Sequence, residues 1–256
     1  MYNIGLKLWS VNTGEYLHEA QRFYGEGIYD YIELYVVPET VETLSAWKNI
    51  NIPFVIHNAH FAHGFNLAQK DCRTRNRQIY EQSKRFADEL KAEGIIFHSG
   101  IDGEAEETAF QLLSLQEERA ILENKPFVAL PNRMGGTFCR GATEEELSFI
   151  LKEAHCRFCL DFGHAVCSAS SQRIPPYEFI QRLMGLSPCM FHLCDVKDIS
   201  SPYDSHPHLG SGMLDLDRLV RQVLPRNAVI SVETVKDHCD NLDDFAKDVA
   251  WLKLLY

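Results

Sequence analysis

Histidines and carboxylates recur in this chain at the ends of short apolar runs. His57 closes the run 53–57, with His60 just beyond; His98 closes 94–98; Asp161 closes 157–161, with His164 three residues on. His192 and Asp195 stand at the end of 190–194, and Glu233 closes 229–233. The segment after the seventh run adds Asp204, His206 and His208. Imidazole and carboxylate are natural ligands for zinc, manganese and iron, and a catalytic site needs several of them on each ion. A lone histidine reads as a surface or hydrogen-bonded core residue. Repetition at run ends asks instead for a divalent metal.

Such residues, far apart in sequence, need a fold that gathers strand ends. The apolar, β-branched runs 4–9, 31–36, 53–57, 94–98, 126–130, 157–161, 190–194 and 229–233 alternate with segments of helical period such as 80–92, 143–154 and 241–254. Repeated βα units of this kind predict a parallel sheet, and eight of them predict one (β/α)8 TIM barrel of the α/β class. No linker or low-complexity tract divides residues 1–256, so a single domain is expected. The irregular stretches 61–66, 134–141 and 198–213 all follow strands, on the side where barrels place their sites. The sequence Thr143-Glu144-Glu145-Glu146 reads as a structural helix cap.

Bulk properties narrow the setting. The chain has 256 residues, 45% hydrophobic and 24% charged, with a formal charge of −11. No apolar run approaches the roughly 18 residues of a membrane span, and the start Met1-Tyr2-Asn3-Ile4-Gly5 lacks the basic and apolar regions of a secretory signal. Eight irregularly placed cysteines suit reduced thiols, so a cytoplasmic location is expected. Negative charge opposes a broad nucleic-acid footprint. The Arg-dense stretch Arg73-Thr74-Arg75-Asn76-Arg77 reads as a solvated helix start, with phosphate contact as its alternative. Cys156 and Cys159 have redox or zinc spacing but read as structural within a strand.

The phrases Cys159-Leu160-Asp161-Phe162-Gly163-His164-Ala165, Phe191-His192-Leu193-Cys194-Asp195, Leu209-Gly210-Ser211-Gly212 and Val232-Glu233-Thr234, in this order and spacing, resemble the xylose isomerase-like TIM-barrel superfamily. That superfamily holds sugar isomerases and epimerases as well as endonuclease IV. The resemblance implies that Asp161, His192 and Glu233 hold a central metal, that His164, Asp204 and His206 match further ligands of the nuclease branch, and that His57 and His98 match its remaining site. It also places a metal-binding glutamate at the end of strand five. With 126–130 as that strand, Pro131 stands in the glutamate's place, which predicts one or two ions, zinc or manganese, rather than three.

Three functions follow from these expectations. The first is a sugar or sugar-phosphate isomerase or epimerase, with Glu233 or Asp195 as base, His57, His98 or His164 as acid, and Trp9, Glu33, His60, Phe61, Asn132 and His208 as substrate contacts. The second is an endonuclease IV-like phosphodiesterase acting on abasic DNA, opposed by the acidic segment Val36-Val37-Pro38-Glu39-Thr40-Val41-Glu42. The third, resting on Pro131, is a barrel that binds metal or ligand without catalysis. The oligomeric state is left open, with a homo-oligomer allowed.

Overall fold

The computed structural model describes residues 2–131 and 136–256. Among them, eight parallel strands close into a barrel in chain order. These are β1 (Asn3–Trp9), β2 (Tyr31–Tyr35), β3 (Phe54–His57), β4 (Ile95–His98), β5 (Ala120–Glu123), β6 (Arg157–Asp161), β7 (Met190–Leu193) and β8 (Val229–Val232). The helices around them are α1 (Thr13–Gly25), α2 (Leu44–Lys48), α3 (Arg73–Glu89), α4 (Ala105–Leu115), α5 (Glu144–Ala154), α6 (Phe162–Gln172), α7 (Pro176–Met184), α8 (Leu216–Arg218) and α9 (Asp243–Lys253). No helix of the described residues is long and apolar enough to cross a membrane.

Successive strand residues face opposite sides, and here the two sides have separate tasks. Outward residues such as Leu6, Leu34, Ile56, Phe97, Leu122, Leu160, Phe191 and Ile230 pack beneath the helices in the main core. Inward residues Tyr31, Val55, Ile96, Ile121, Cys159 and Met190 fill the lower barrel as a second, smaller cluster. One step further along the same inward face come Glu33, His57, His98, Glu123, Asp161 and His192. A polar ring thus sits directly on an apolar plug. Register sets its members side by side: Lys7 opposes Glu33, His98 opposes Glu123, and Asp161 opposes His192.

The fifth strand corrects the sequence reading. It is Ala120–Glu123, hydrogen-bonded between β4 and β6, and not 126–130. The ladder ends at Glu123, and Pro126, with no N–H to give a parallel ladder, lies beyond it. Residues 126–130 instead bend back along the rim, where Ala129 N–H donates to Thr137 O at 2.9 Å and Cys139 N–H to Phe127 O at 3.1 Å. Phe127 packs on Phe138 with ring centroids 5.5 Å apart. Pro131 therefore does not stand at the end of strand five, where the structure places Glu123. The ground for a non-catalytic barrel goes with it.

Smaller adjustments follow. The Arg73–Arg77 stretch forms the first turns of α3, the helix start its sequence suggests, with Arg73 forking onto Glu107. Thr143 caps α5 by accepting from Glu146 N–H, as its sequence predicts. All eight cysteines are free thiols; Cys159 faces into the barrel and Cys156 lies just ahead of β6.

Candidate metal centre

Glu123 is the hub of the polar ring. Its Oε2 lies 3.1 Å from both His57 Nε2 and His98 Nε2, and 3.4 Å from His192 Nδ1. Its Oε1 lies 2.9 Å from His164 Nδ1. His192 Nδ1 is also 3.0 Å from Glu233 Oε1 and 3.7 Å from Asp161 Oδ2. The ligand atoms of His57, His98 and Glu123 fall within 4.8 Å of one another, and so do those of Glu123, Asp161 and His192 and those of Glu33, His192 and Glu233. Nearer the mouth, Asp204 Oδ2 stands between His164 Nε2 at 3.2 Å and His206 Nε2 at 2.7 Å.

The electrostatics mark this as a place short of positive charge. Burial and the neighbouring carboxylates Glu123 and Glu233 push the Asp161 carboxyl up, although His164 opposes them. Burial would drive the proton off His192, but Glu233, Glu33 and Glu123 override it and hold the ring's pKa at about 9. His164 and His206 are raised in the same way to about 10, burial again being outweighed by Asp161 and Asp204 respectively. His57 and His98 are lowered, chiefly by burial, so they are neutral and ready to ligate.

Asp161 Oδ2 and His192 Nδ1 are buried without a hydrogen-bond partner, although each lies close to the other and to further ligand-type groups. Buried polar atoms are normally satisfied. Lone pairs converging on shared space without an aligned donor are what a divalent ion would satisfy, so the residues present fit a metal.

Ligation requires the raised His192 imidazole to lose its proton. Zinc uptake by metal-free protein should therefore release protons, and apparent affinity should weaken about tenfold per pH unit for each proton displaced as pH falls from 9 towards 6. Isothermal titration in buffers of different ionisation enthalpy reads the proton count. A zinc affinity flat across that range would contradict the linkage.

Besides Glu123, two further residues absent from the sequence expectations complete the ring. Lys7 extends from β1 between Glu33 and Glu233, hydrogen-bonding Glu33 Oε1 and lying 2.7 Å from Glu233 Oε1. Lys125 follows Glu123 by two residues, so it shares the inward face. Glu33, expected to touch substrate, is fully buried beneath Lys7 and His192. Ser231 and His192 donate to its Oε2, so it supports the ring from below.

Asp195, expected as a catalytic base, turns away and orders a loop. Its Oδ1 accepts from Val196 and Leu214 N–H, and its Oδ2 from Gly210 and Gly212 N–H. Asp195→Ala should cost about 2–4 kcal/mol of stability, because four backbone donors, two of them buried, lose their acceptor, while bound metal is retained. Thermal melts with metal analysis check both, and loss of metal from folded protein would return Asp195 to the site.

His208 is held by Asp248, 2.8 Å away, and lines an outer groove instead of the inner pocket. Trp9, His60 and Phe61 do border the inner pocket. Trp9 stacks on Tyr35 at 4.4 Å, and His60 on His98 at 5.2 Å. Asn132 lies outside the described residues. The pocket, about 450 Å³, opens over the ring and is also bordered by Tyr35, Lys125 and Lys236.

A profile of the xylose isomerase-like TIM barrel matches residues 18–255. The chain belongs to that family. Within the xylose isomerase-like family, probable endonuclease 4 of Mycobacterium tuberculosis is 28% identical over 205 residues, 77% of this chain and 79% of that protein. Endonuclease IV from Thermus thermophilus superposes with a TM-score of 0.69 at 20% identity, covering 98% of this chain and 99% of the other. A D-tagatose 3-epimerase-like protein gives 0.69 at 20% identity over 98% and 96%. At these identities the solved structures bear on the fold alone. Both an endonuclease and an epimerase-like protein are thus neighbours of this xylose isomerase-like barrel.

Proposed function

We propose that this barrel is a divalent-metal-dependent phosphoester hydrolase. One observation carries the reading: Glu123 belongs at once to the His57–His98 group and to the Asp161–His192 group. A carboxylate so placed suits two adjacent ions, the arrangement that clamps the attacking and leaving oxygens of a displacement at phosphorus. A divalent ion, zinc or manganese by the ligand chemistry, supplies Lewis acidity, activating water near neutral pH and offsetting charge on the phosphoryl oxygens.

The chain's own residues do the rest. Asp161, His192 and Glu233 would hold one ion, and His57 and His98 would hold the other, with Glu123 common to both. His164, Asp204 and His206 form a hydrogen-bonded wall at the mouth, within reach of a leaving oxygen. Lys236, whose ammonium donates to Thr234 O at 2.9 Å, gives the pocket wall a cation for a phosphate. Trp9 and Phe61 offer flat apolar faces to the organic part of the ester.

The acidic surface argues for a small phosphoester over a long stretch of duplex. An isomerase or epimerase acting on a sugar is the second reading. It is favoured by Glu233 and Glu123 flanking His192 Nδ1 at 3.0 and 3.4 Å, two carboxylates placed to move a proton between carbons. Against it, Glu123 is in contact with several imidazoles and has little freedom to act as an acid or base.

The test is a paired assay of zinc- and manganese-loaded protein on bis-p-nitrophenyl phosphate, p-nitrophenyl phosphate, an abasic-site duplex and a panel of ketoses and aldoses. Chelator-sensitive ester hydrolysis is expected. Sugar interconversion without ester hydrolysis would overturn the proposal in favour of the second reading.

A further inference from the structure

The pocket over the polar ring adjoins a larger cavity, the outer groove, of about 840 Å³. The two share Trp9, His60, Pro126, Asp204, His206 and Val235, so a molecule seated over the ring can run on into the groove. The inner pocket, about 450 Å³, has room for a small phosphoester by itself. The groove is space beyond what that chemistry needs.

Its wall is built to be apolar. The rim residues 126–130 pair antiparallel with 137–139, Val128 opposite Phe138. In such a ribbon alternate side chains face opposite sides. Ala129 is buried with Ile101 and Cys139, whereas Pro126, Val128 and Leu130, the other set, line the groove. This is the apolar run that imitates a core strand in the sequence, and half of it is turned towards a cavity that water can enter. Trp9, Pro207 and Val235 extend the same lining, and Trp9 and Val235 are 38% and 47% exposed. Apolar side chains gathered in one concave place mark where an apolar group binds. A bare sugar ring would need hydrogen-bond partners for its hydroxyls, and the side chains of Pro126, Val128 and Leu130 offer none.

Direction comes from Asp204 and His206. They belong to the wall that a leaving oxygen reaches, and they line both cavities. Whatever is attached to that oxygen is thereby led out of the pocket and along the groove.

We propose that the substrate is a two-part phosphoester, with its phosphoryl group over the metal ring and an aromatic body, carried on the leaving oxygen, laid against Pro126, Val128 and Leu130. Water attacks phosphorus, the bond to the leaving oxygen breaks, and the alcohol that bears the aromatic body departs with a proton. The inference rests on the phosphoester reading for the reaction, but the groove can be tested without turnover.

The experiment titrates zinc-loaded protein with phenylphosphonate and with (p-phenylphenyl)phosphonate, whose P–C bonds are not hydrolysed. The longer compound should bind at least about tenfold more tightly, because its second ring leaves water for the groove. Val128→Asn and Val235→Asn, neutral changes to the lining, should each cut that ratio to about threefold or less; Val235 is exposed, so its variant keeps the fold if Val128→Asn does not. Leu113→Asn, an equally exposed apolar residue on α4 outside the groove, should leave the ratio unchanged. Methyl p-phenylphenyl phosphate should likewise be cleaved with a kcat/KM at least about tenfold above methyl phenyl phosphate, the gain lying in KM.

Equal binding of the two phosphonates, or a ratio undiminished in every folded groove variant, would overturn the inference whether or not esters are hydrolysed. Binding of an abasic-site duplex but of neither phosphonate would overturn it in favour of nucleic acid. A groove-dependent preference with no hydrolysis of either ester would overturn the hydrolase reading while upholding the groove as the seat of an aromatic body.

Discussion

Glu123→Ala is expected to strip the centre of at least one ion and to lower turnover of a phosphoester by at least ~10²–10³-fold, since it removes a direct ligand on which both positions depend. Truncation also leaves His57, His98, His164 and Lys125 facing one another without their shared carboxylate. The loss should therefore appear in metal content before it appears in rate, and added zinc should not restore wild-type activity. Pro131→Glu is the paired control. Pro131 lies on the rim beyond the ladder, so its replacement should change neither metal content nor rate. Metal analysis and initial rates on both variants decide the matter; a fully metallated, active Glu123→Ala protein would remove the hub from the proposal.

Lys7→Met should have the largest effect on stability. The ammonium is largely buried between Glu33 and Glu233, and deleting one partner of a buried ion pair typically costs about 3–5 kcal/mol because the remaining charge is left uncompensated. Here two carboxylates lose that partner, although His192 and Ser231 still reach Glu33. Burial tends to raise the Glu233 carboxyl, but His192 and Lys7 prevail and hold it down at about 2. Without Lys7 it should take up a proton more readily. Urea denaturation in the presence of a chelator should show the full loss. Zinc should recover part of it, since an ion beside Glu233 supplies the missing charge. Equal chelated stability for variant and wild type would show that Lys7 does not carry this pair.

Much of this architecture was legible because strands and ring obey one period. In β3, β4, β6 and β7 an apolar inward residue is followed two positions later by a ligand type: Val55 by His57, Ile96 by His98, Cys159 by Asp161 and Met190 by His192. Ile121 followed by Glu123 is the same signal. It lost out because Pro126-Phe127-Val128-Ala129-Leu130 is the more conspicuous apolar run, and only the proline's missing N–H tells against it. Asp195 failed for a different reason. A strand-end aspartate can serve a site or anchor a loop, and three of the four backbone N–H groups that captured it come from positions 210–214. Lys7 and Lys125 carried no warning at all. A lysine in an apolar stretch ordinarily carries its head to solvent. What keeps Lys7 inside is Glu33, 26 positions away, and Glu233, 226 away.

The apolar plug beneath the ring has a consequence for traffic. Tyr31, Val55, Ile96, Ile121, Cys159 and Met190 close the lower barrel with hydrocarbon, sulfur and one aromatic ring, a medium through which a bare ion does not pass. Whatever enters or leaves the centre must use the mouth bordered by Trp9, Phe61 and Lys236. Ion and substrate therefore queue at one doorway, the ion first in and last out. A molecule lodged in the pocket should cork the metal beneath it, so a chelator ought to strip the inhibitor-bound protein far more slowly than the free one.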